Sequence, residues 1–487
     1  MKKTIYIKRI ASIIVLLFVF IVVFVMASKI LVPKFLYGEE SKSPETEMWD
    51  AFYEEPENSI DVIFLGNSHV YCGINPIVFY EKTGLTAYSL STSGQDIATG
   101  YYLLREALKY QHPRYVVVDF GAFLNDEANL QRTIADMKLS KNKLEIIRSF
   151  EYTKEKDENR LSYYLSNIIP FNCYHSRWDD IGKGDFDYSD MVTAYNGYVR
   201  TRDKNGENQH SNFYNNDPTY VYSERTQEYF PKIKMLCEGN DIELIISGVP
   251  FDEARSNDFI CFVNYMAMYG LTPYDFNSSP VYESIGIDSI EDYRDSNHMN
   301  EYGAAKFTSF MADAIFADRE YVAEHSDAVE KVWEDKLTRW NHDTKNRDLL
   351  KIERLPEYLE AIKDSDYIAL VAYNEDRESG GGYVFQDEVR ELLSSSGCII
   401  TDTDVYTSSF ALILDGGNPV YDTKYNYGGD MIECKVDNEH CILAVNRQNY
   451  GQTDERLNIV LYSKSQKKVV DSCYIELINS LNVLRND

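Results

Sequence analysis

The stretch Val62-Ile-Phe-Leu-Gly-Asn-Ser-His69 decides the fold class of this chain. Its first four residues are apolar without alternation, which is typical of a short strand that is covered on both faces of a parallel sheet. The predicted strand Val62–Leu65 ends in Gly66-Asn-Ser68, so the Ser68 hydroxyl lies on the turn that leaves a buried strand. The stretch therefore indicates an α/β domain with a reactive side chain at the end of a core strand.

Strand and helix patterns alternate outward from this stretch. Such alternation predicts a flavodoxin-like, doubly wound parallel sheet whose site lies at the carboxyl ends of the strands. In chain order, the further predicted elements are helix Pro76–Thr83 closed by Gly84, strand Thr86–Leu90, helix Ile97–Tyr110, strand Tyr115–Phe120, helix Glu228–Glu238, strand Glu243–Gly248 and helix Glu301–Phe316.

The length of 487 residues predicts two soluble domains. The second domain has an α+β pattern, with a hairpin signal at Asp415-Gly-Gly. An insertion interrupts the larger domain and is either a lid or substrate surface, or a polar surface excursion. The predicted boundaries are 1–36 for a basic tip and membrane anchor, 37–58 for a linker, 59–319 for the α/β domain with its insertion at about 130–224, 320–350 for a charged helical spacer and 351–487 for the α+β domain.

The N-terminus has the pattern of a membrane anchor. Ile10–Ser28 carries no charge and is about 19 residues long, close to the ~20 that cross a bilayer. A cleaved signal peptide usually has a shorter apolar region, which favours an uncleaved, single-pass anchor, although Val25-Met26-Ala27 is an alternative cleavage site. Lys2, Lys3, Lys8 and Arg9 precede the span and predict a cytoplasmic N-terminus in the cell membrane, with the bulk of the chain extracytoplasmic.

Charge and cysteine content exclude several classes of function. The formal net charge of −29 argues against nucleic-acid binding, which needs a basic face, but leaves a polyanionic envelope substrate open. The eight cysteines form no CxxC pair and no disulfide framework for a chain this long. Cys434 and Cys441 are candidates for a disulfide across a hairpin, but buried thiols are the preferred interpretation. No cofactor or metal is predicted, because the histidines lack partners at metal-ligand spacing.

Ser68 has a candidate base in a distant motif, Asp295-Ser-Asn-His298. A serine hydroxyl is too weak an acid to attack alone, so a neutral imidazole must take its proton. An Asp-x-x-His spacing on one helical turn aims both side chains the same way, which lets Asp295 orient His298. The simpler interpretation makes Ser68 a turn hydroxyl, His298 a histidine at a helix start and Asp295 an N-cap.

Two further sets of residues are candidates for the site. The oxyanion of an attacked carbonyl needs fixed donors, and the Ser68 backbone N–H and the loop at Gly94 are placed to supply them. Within the insertion, His175, Arg177 and Trp178 are candidates for substrate contact, or else ordinary surface residues. His69 flanks the nucleophile and is expected to point away from it.

Gly66-Asn-Ser68, Thr92-Ser-Gly94 and Asp295-Ser-Asn-His298 together resemble the motif blocks of the SGNH (GDSL-type) hydrolase superfamily over about residues 60–316. The N-terminal anchor and the sequence Asp295-Ser-Asn-His-Met-Asn-Glu-Tyr-Gly303 resemble those of the membrane-anchored members of the DltD and alginate O-acetylation type. Asn67 stands where the family has Asp. The family's oxyanion asparagine corresponds to Asn125, about two residues late, with Gln95 as a substitute donor.

This resemblance implies an extracytoplasmic serine esterase or O-acyltransferase. The substrate would be an acyl group on a cell-envelope polymer, such as a polysaccharide or teichoic acid, or on its carrier, and a multi-pass membrane O-acyltransferase would be the partner. Esterase and transferase share the first half-reaction, so both stay open. The alternative is a non-enzymatic scaffold that positions polymer for such an acyltransferase.

The C-terminal region resembles the interleukin-like EMT inducer (ILEI) fold in permuted order. Tyr358–Tyr373 with Asp387–Leu393 is similar to one part of that fold, and Leu457–Tyr462 with Lys468–Tyr474 to another. The resemblance implies a glycan-docking module, and a packing module is the equal alternative.

Overall fold

The computed structural model describes residues 2–31, 48–124, 130–134, 136–153, 159–169, 175–182, 195–201, 204, 222–251, 256–320, 324–374, 410–420, 422–436, 440–453, 456–476 and 481–485. The chain divides into two compact units, Met1–Leu337 and Thr338–Asp487. This division lies within the helix Asp327–Leu349, in the region predicted as a helical spacer.

A parallel sheet of five strands forms the centre of the first unit. The strands are β1 Val62–Gly66, β2 Ala87–Ser91, β3 Tyr115–Asp119, β4 Glu243–Gly248 and β5 Tyr274–Asp275. Their order in the sheet is β2-β1-β3-β4-β5, which is the order of one common class of doubly wound sheets, in which the first strand lies between the second and the third. Every residue of β1, β2 and β3 is buried, as the apolar runs of β1 and β3 predict.

Helices cover both faces of this sheet and close a hydrophobic core on each. Alternate residues of β1 pack into the two cores: Val62 and Phe64 into one, and Ile63 and Leu65 into the other. The helices that pack on the Val62 side are Ser68–Gly73, Pro76–Thr83 and Glu301–Phe316. Those on the Ile63 side are Met48–Glu54, Ile97–Ala107, Lys141–Ser149, Glu224–Glu238 and Ser256–Ala267.

The predicted strands and helices of this unit are confirmed, with shifts at their ends. The helix Ile97–Ala107 ends before the predicted Tyr110, and the helix Glu224–Glu238 begins before the predicted Glu228. The short strand β5 and the helix that starts at Ser68 were not predicted. Shorter helices are Gly121–Leu124, Leu130–Ile134, Arg160–Ile168 and Ser279–Ile285, with 3₁₀ turns at Glu151–Thr153 and His175–Asp180.

The N-terminal helix Lys2–Leu31 is long and apolar enough to cross a membrane. Its candidate span, Arg9–Ser28, is 20 residues long and has a mean hydropathy of 3.3. Most of that span is exposed, in contrast to the core helix of a soluble domain, and only its last residue, Ser28, is buried.

The second unit contains antiparallel sheets with the α+β character predicted for it. Its described strands are β6 Tyr367–Asn374, β7 Phe410–Asp415, β8 Asn418–Val420, β9 Lys424–Tyr427, β10 Asp430–Val436, β11 Cys441–Val445, β12 Gln448–Asn449, β13 Arg456–Ser463, β14 Lys468–Glu476 and β15 Asn482–Leu484. A short helix, Leu355–Ala361, precedes β6. One sheet has the order β15-β14-β13-β6-β7-β8 and the other β12-β11-β10-β9. The predicted hairpin is confirmed, because β7 and β8 pair across Gly416 and Gly417, both of which have positive φ. The ILEI-like stretch Asp387–Leu393 lies outside the described residues.

The cysteines of the described residues are all buried, and no disulfide joins them. Cys434 and Cys441 lie on neighbouring antiparallel strands, but Cys434 stands opposite Leu443 and Cys441 opposite Val436. Because their register does not place them face to face, the preference for buried thiols over a hairpin disulfide is confirmed for this pair. Cys173 and Cys398 lie outside the described residues.

Candidate active site

Ser68 stands at the junction between β1 and the helix that follows it. The strand ends at Gly66, and Asn67 is the N-cap of the helix that begins at Ser68. The Asn67 carboxamide oxygen accepts the His69 N–H at 3.0 Å, which satisfies a donor that a first helical turn leaves unpaired. A Cβ on Gly66 would lie 2.3 Å from a Val70 methyl group, so this tight strand-to-helix turn needs glycine.

Ser68 meets the distant pair Asp295 and His298 beyond the carboxyl end of β1. His298 Nε2 lies 2.7 Å from Ser68 Oγ. On the other side of the ring, His298 Nδ1 lies 2.9 Å and 3.0 Å from the two carboxylate oxygens of Asp295. A carboxylate that holds the proton on Nδ1 leaves Nε2 ready to accept the hydroxyl proton. The arrangement is therefore chemically capable of serine-dependent acyl transfer, and Ser68 is only half-buried.

The segment that carries Asp295 and His298 is a loop, so the predicted helical turn is wrong. Asp295 Oδ1 accepts the backbone N–H groups of Asn297 at 2.9 Å and of His298 at 2.8 Å, which folds the loop around the carboxylate. The following helix begins only at Glu301, and Asn300 caps it. The two side chains are brought together by an Asx-type turn, and the N-cap interpretation of Asp295 is wrong as well.

The surroundings of Asp295 keep its carboxylate ionised. Partial burial alone would raise its pKa, but the hydrogen bond and charge of His298 and the two backbone N–H donors outweigh burial and hold the pKa well below its usual range. The Arg294 Nε also lies 3.3 Å from Asp295 Oδ2. A permanently charged carboxylate stabilises the imidazolium that forms when His298 takes a proton.

His69 lies beside the catalytic candidates, so the expectation that it points away is wrong. Its ring stacks on Phe251 with centroids 4.2 Å apart, and it lies 5.6 Å from the His298 ring. Burial, followed by the proximity of His298, lowers the pKa of His69 to about 3. His69 is therefore a neutral, aromatic wall of the site at physiological pH.

Asp119 is a buried carboxylate that the sequence reasoning did not single out. It ends β3, and its oxygens accept the N–H groups of Gly121 and Val249, each at 2.8 Å. Its Cβ would lie 2.9 Å from a Cβ on Gly66, next to the Ser68 turn. Burial raises the pKa of Asp119 to about 7 against the opposing effect of these hydrogen bonds. A polar residue that closes an apolar strand at the carboxyl edge of a parallel sheet was the available signal.

The candidates for an oxyanion hole have different positions. The Ser68 N–H is at the first turn of its helix, where intrahelical acceptors do not reach. Gly94 has φ +63° in the loop after β2, and this loop is tied to the Ser68 turn by the 3.2 Å bond from Thr92 N–H to Gly66 O. Gln95 is fully buried and its oxygen accepts the Thr92 hydroxyl at 3.1 Å, while its buried Nε2 has no hydrogen-bond partner among the described residues. Asn125 lies outside the described residues.

Part of the insertion packs directly behind the site. Val199 N–H donates to Tyr71 O at 2.8 Å, on the helix that starts at Ser68. Glu301 N–H donates to Thr201 O at 2.9 Å, at the start of the helix that follows His298. Arg200 pairs with the fully buried Glu301 carboxylate. This segment of the insertion therefore joins the two helices that adjoin Ser68 and His298.

The predicted substrate-contact residues lie near the end of the N-terminal helix. The 3₁₀ turn that begins at His175 packs against this helix, and Arg177 Nη1 donates to Leu31 O at 2.6 Å. Trp178 is 55% exposed. No contact joins Arg177 or Trp178 to Ser68 among the described residues, so a role in substrate binding stays a prediction. No group of three metal-ligating side chains occurs within the described part of the chain.

Comparisons with known proteins add little to this geometry. No protein-family model matches the chain, and no curated protein matches it. Ten chains among the solved structures match, one of which is a candidate acylhydrolase from Bacteroides fragilis NCTC 9343. That match has a TM-score of 0.27 and 13% identity, and covers 57% of this chain and 98% of the other. At this TM-score the likeness carries no weight for the activity, which must be inferred from the site.

Proposed function

We propose that this protein is a membrane-anchored serine esterase or O-acyltransferase of the SGNH type, with Ser68 as nucleophile, His298 as general base and Asp295 as its orienting carboxylate. The observation that carries the proposal is the continuous contact from Ser68 Oγ through the His298 ring to Asp295, with 2.7 Å between hydroxyl and imidazole. The SGNH-like order of the Gly-Asn-Ser and Asp-x-x-His motifs also supports it.

The proposed reaction has two half-reactions. Ser68 Oγ attacks the acyl carbonyl while His298 Nε2 takes the hydroxyl proton. The C–O or C–S bond of the donor then breaks, and the leaving oxygen or sulfur receives that proton from His298. In the second half-reaction, water or an acceptor hydroxyl attacks the acyl carbon of the acyl-enzyme and gives its proton to His298 Nε2. The bond between the acyl carbon and Ser68 Oγ then breaks, and His298 returns that proton to Ser68 Oγ. The Ser68 and Gly94 backbone N–H groups are the proposed donors to the oxyanion.

The proposed location and substrate follow from the N-terminus and the DltD-like resemblance. Basic residues before the apolar helix favour a cytoplasmic N-terminus in the cell membrane and an extracytoplasmic site. The proposed substrates are acyl groups on cell-envelope polysaccharide or teichoic acid, or on their carrier, with a multi-pass O-acyltransferase as partner. A glycan-docking role of the C-terminal unit stays a prediction.

A fluorophosphonate probe tests the enzymatic proposal on the detergent-solubilised full chain. We expect labelling of the wild type and complete loss of labelling in Ser68→Ala. In His298→Ala, we expect labelling to slow by at least about 10³-fold, because the hydroxyl loses its base. Ser93→Ala, in the neighbouring loop, is the matched control and should label like the wild type. A folded wild type that does not label contradicts the enzyme and favours the alternative, a scaffold that positions polymer for an acyltransferase.

A further inference from the structure

We propose that the insertion carries a second membrane contact: an apolar surface, formed by Leu139, Leu144, Leu161, Leu165 and Trp178, that lies on the bilayer interface beside the anchor helix. The inference rests on the proposed membrane anchor but not on the proposed chemistry of Ser68. It assigns the insertion a lipid partner in place of the substrate contact predicted for Arg177 and Trp178.

The first support is the contact between the insertion and the end of the anchor. Arg177 donates to the carbonyl of Leu31, and a cation that caps the carboxyl end of a helix is favourable for both the hydrogen bond and the helix dipole. Leu31 is only three residues beyond the candidate span that ends at Ser28, a rise of about 4–5 Å. The residue after Arg177 is therefore held near the depth of the bilayer interface.

Trp178 has the character and exposure that this depth favours. It is 55% exposed, whereas the other three tryptophans, Trp49, Trp333 and Trp340, are buried. Tryptophan is enriched at membrane–water interfaces, because its ring is apolar and its N–H keeps a polar partner. An exposed indole that adjoins the end of a membrane-spanning helix is therefore well matched to the interface.

The second support is a helix that exposes a stripe of two leucines. In Arg160–Ile168, Tyr163 and Asn167 are buried, while Leu161 and Leu165 are 69% and 41% exposed. Residues four apart share a helix face, so the two leucines form one stripe that points away from the protein. A helix of a soluble surface normally presents polar residues on that side.

The remaining exposed residues belong to the same helical layer. The Tyr163 hydroxyl donates to Ile147 O at 3.2 Å, which joins Arg160–Ile168 to the helix Lys141–Ser149. Leu144 on that second helix is exposed, as is Leu139 before it. Exposed Lys141 and Arg160 side chains border these leucines, and long cationic side chains are suited to the headgroup region.

Quenching of Trp178 by brominated lipid tests the proposal on the full chain in proteoliposomes. Because the other tryptophans are buried, Trp178→Phe provides their background emission, and the difference reports Trp178. We expect dibromo-phosphatidylcholine to remove about half of the Trp178 emission. Bromine atoms near the headgroup should quench more than bromine atoms deep in the acyl chains, because an interfacial side chain lies only ~5–10 Å into the bilayer. Absence of quenching in chains that resist carbonate extraction would overturn the docking surface and leave the anchor intact.

Two added tryptophans in the Trp178→Phe background complete the design. Leu161→Trp should be quenched like Trp178. Ile290→Trp should not, because this exposed residue follows Ser279–Ile285, which packs on the opposite face of the sheet from the helices Lys141–Ser149 and Arg160–Ile168. Equal quenching of a tryptophan at position 290 would overturn the proposal in favour of non-specific adsorption to the bilayer. Emission that changes with the protein density in the vesicles, and not with bromination of the lipid, would overturn it in favour of self-association. Release by carbonate would overturn the anchor and the docking together, whatever the result of fluorophosphonate labelling.

Discussion

Asp119 is a residue near the site whose ionisation is strongly coupled to folding. It is buried at the end of β3, and its pKa is raised to about 7 because desolvation disfavours the charged form. In the unfolded chain the same carboxyl group titrates near its ordinary value of 3.8. Its contribution to stability is therefore fully present below about pH 4 and is lost as the pH rises through about 7.

Asp119→Asn should remove this pH dependence. At pH 4 we expect the variant to be less stable than the wild type by about 1–3 kcal/mol, because an amide cannot accept both the Gly121 and Val249 N–H groups. Between pH 4 and pH 8 the difference should shift in favour of the variant by on the order of 4 kcal/mol. Urea unfolding of the solubilised chain, followed by tryptophan fluorescence, measures it. Asp318→Asn is the exposed control, and a parallel pH profile for Asp119→Asn and the wild type would contradict the assignment.

The proposed catalytic residues were the easiest part of the site to predict from the sequence. Ser68, His298 and Asp295 stand in motifs whose order and spacing are specific, and the structure brings them into hydrogen-bonding contact. The stack of His69 on Phe251 had no such signal, because it depends on how the loops after β1 and β4 approach each other. Contacts between loops on different strands are set by tertiary packing, which a local pattern does not encode.

At the level of elements, one ion pair fastens the insertion to the helix that follows His298. Arg200 is 10% exposed and its partner Glu301 is fully buried. Removal of one partner of a buried pair leaves an uncompensated charge, which costs about 3–5 kcal/mol. Exposed pairs contribute about 0–1 kcal/mol, because solvent and salt screen them.

Arg200→Ala should therefore destabilise the first unit by about 3–5 kcal/mol in urea unfolding at pH 7. The matched control is Lys204→Ala, which breaks a pair with Glu291 in which both side chains are well exposed. That control should change the free energy of unfolding by less than about 1 kcal/mol. Losses of equal size would show that the insertion is not held by the Arg200 pair.

The strength of local patterns decided which elements were predictable. The strands β1 and β3 were predicted from continuous apolar runs, and the end of helix Pro76–Thr83 from Gly84, whereas its N-cap Asn75 was not predicted. β5 has only two residues and pairs at Ser247 and Gly248 of β4, so it has no periodicity to detect. The Asp295 loop was misread as helical because an Asp-x-x-His spacing fits a helical turn as well as the Asx-type turn that it forms.

At the scale of the whole molecule, each unit closes its own hydrophobic cores. Among the residues that the structure describes, the clusters on the two faces of the parallel sheet are formed by residues of the first unit. The clusters around β6 and β13 are formed by described residues of the second. A cavity in one core should therefore lower the stability of that unit alone, because it removes contacts within that unit.

Paired cavity mutants should reveal this independence by hydrogen–deuterium exchange of the full chain. Ile459 in β13 and Ile63 in β1 are both fully buried, so truncation of either to alanine should cost about 2–5 kcal/mol. Ile459→Ala should accelerate exchange in peptides of 456–463 and leave those of 62–66 unchanged, and Ile63→Ala should do the reverse. Because exchange reports local opening free energy, the result does not depend on catalytic activity. Acceleration in both peptides by either variant would mean that the two units unfold as one cooperative body.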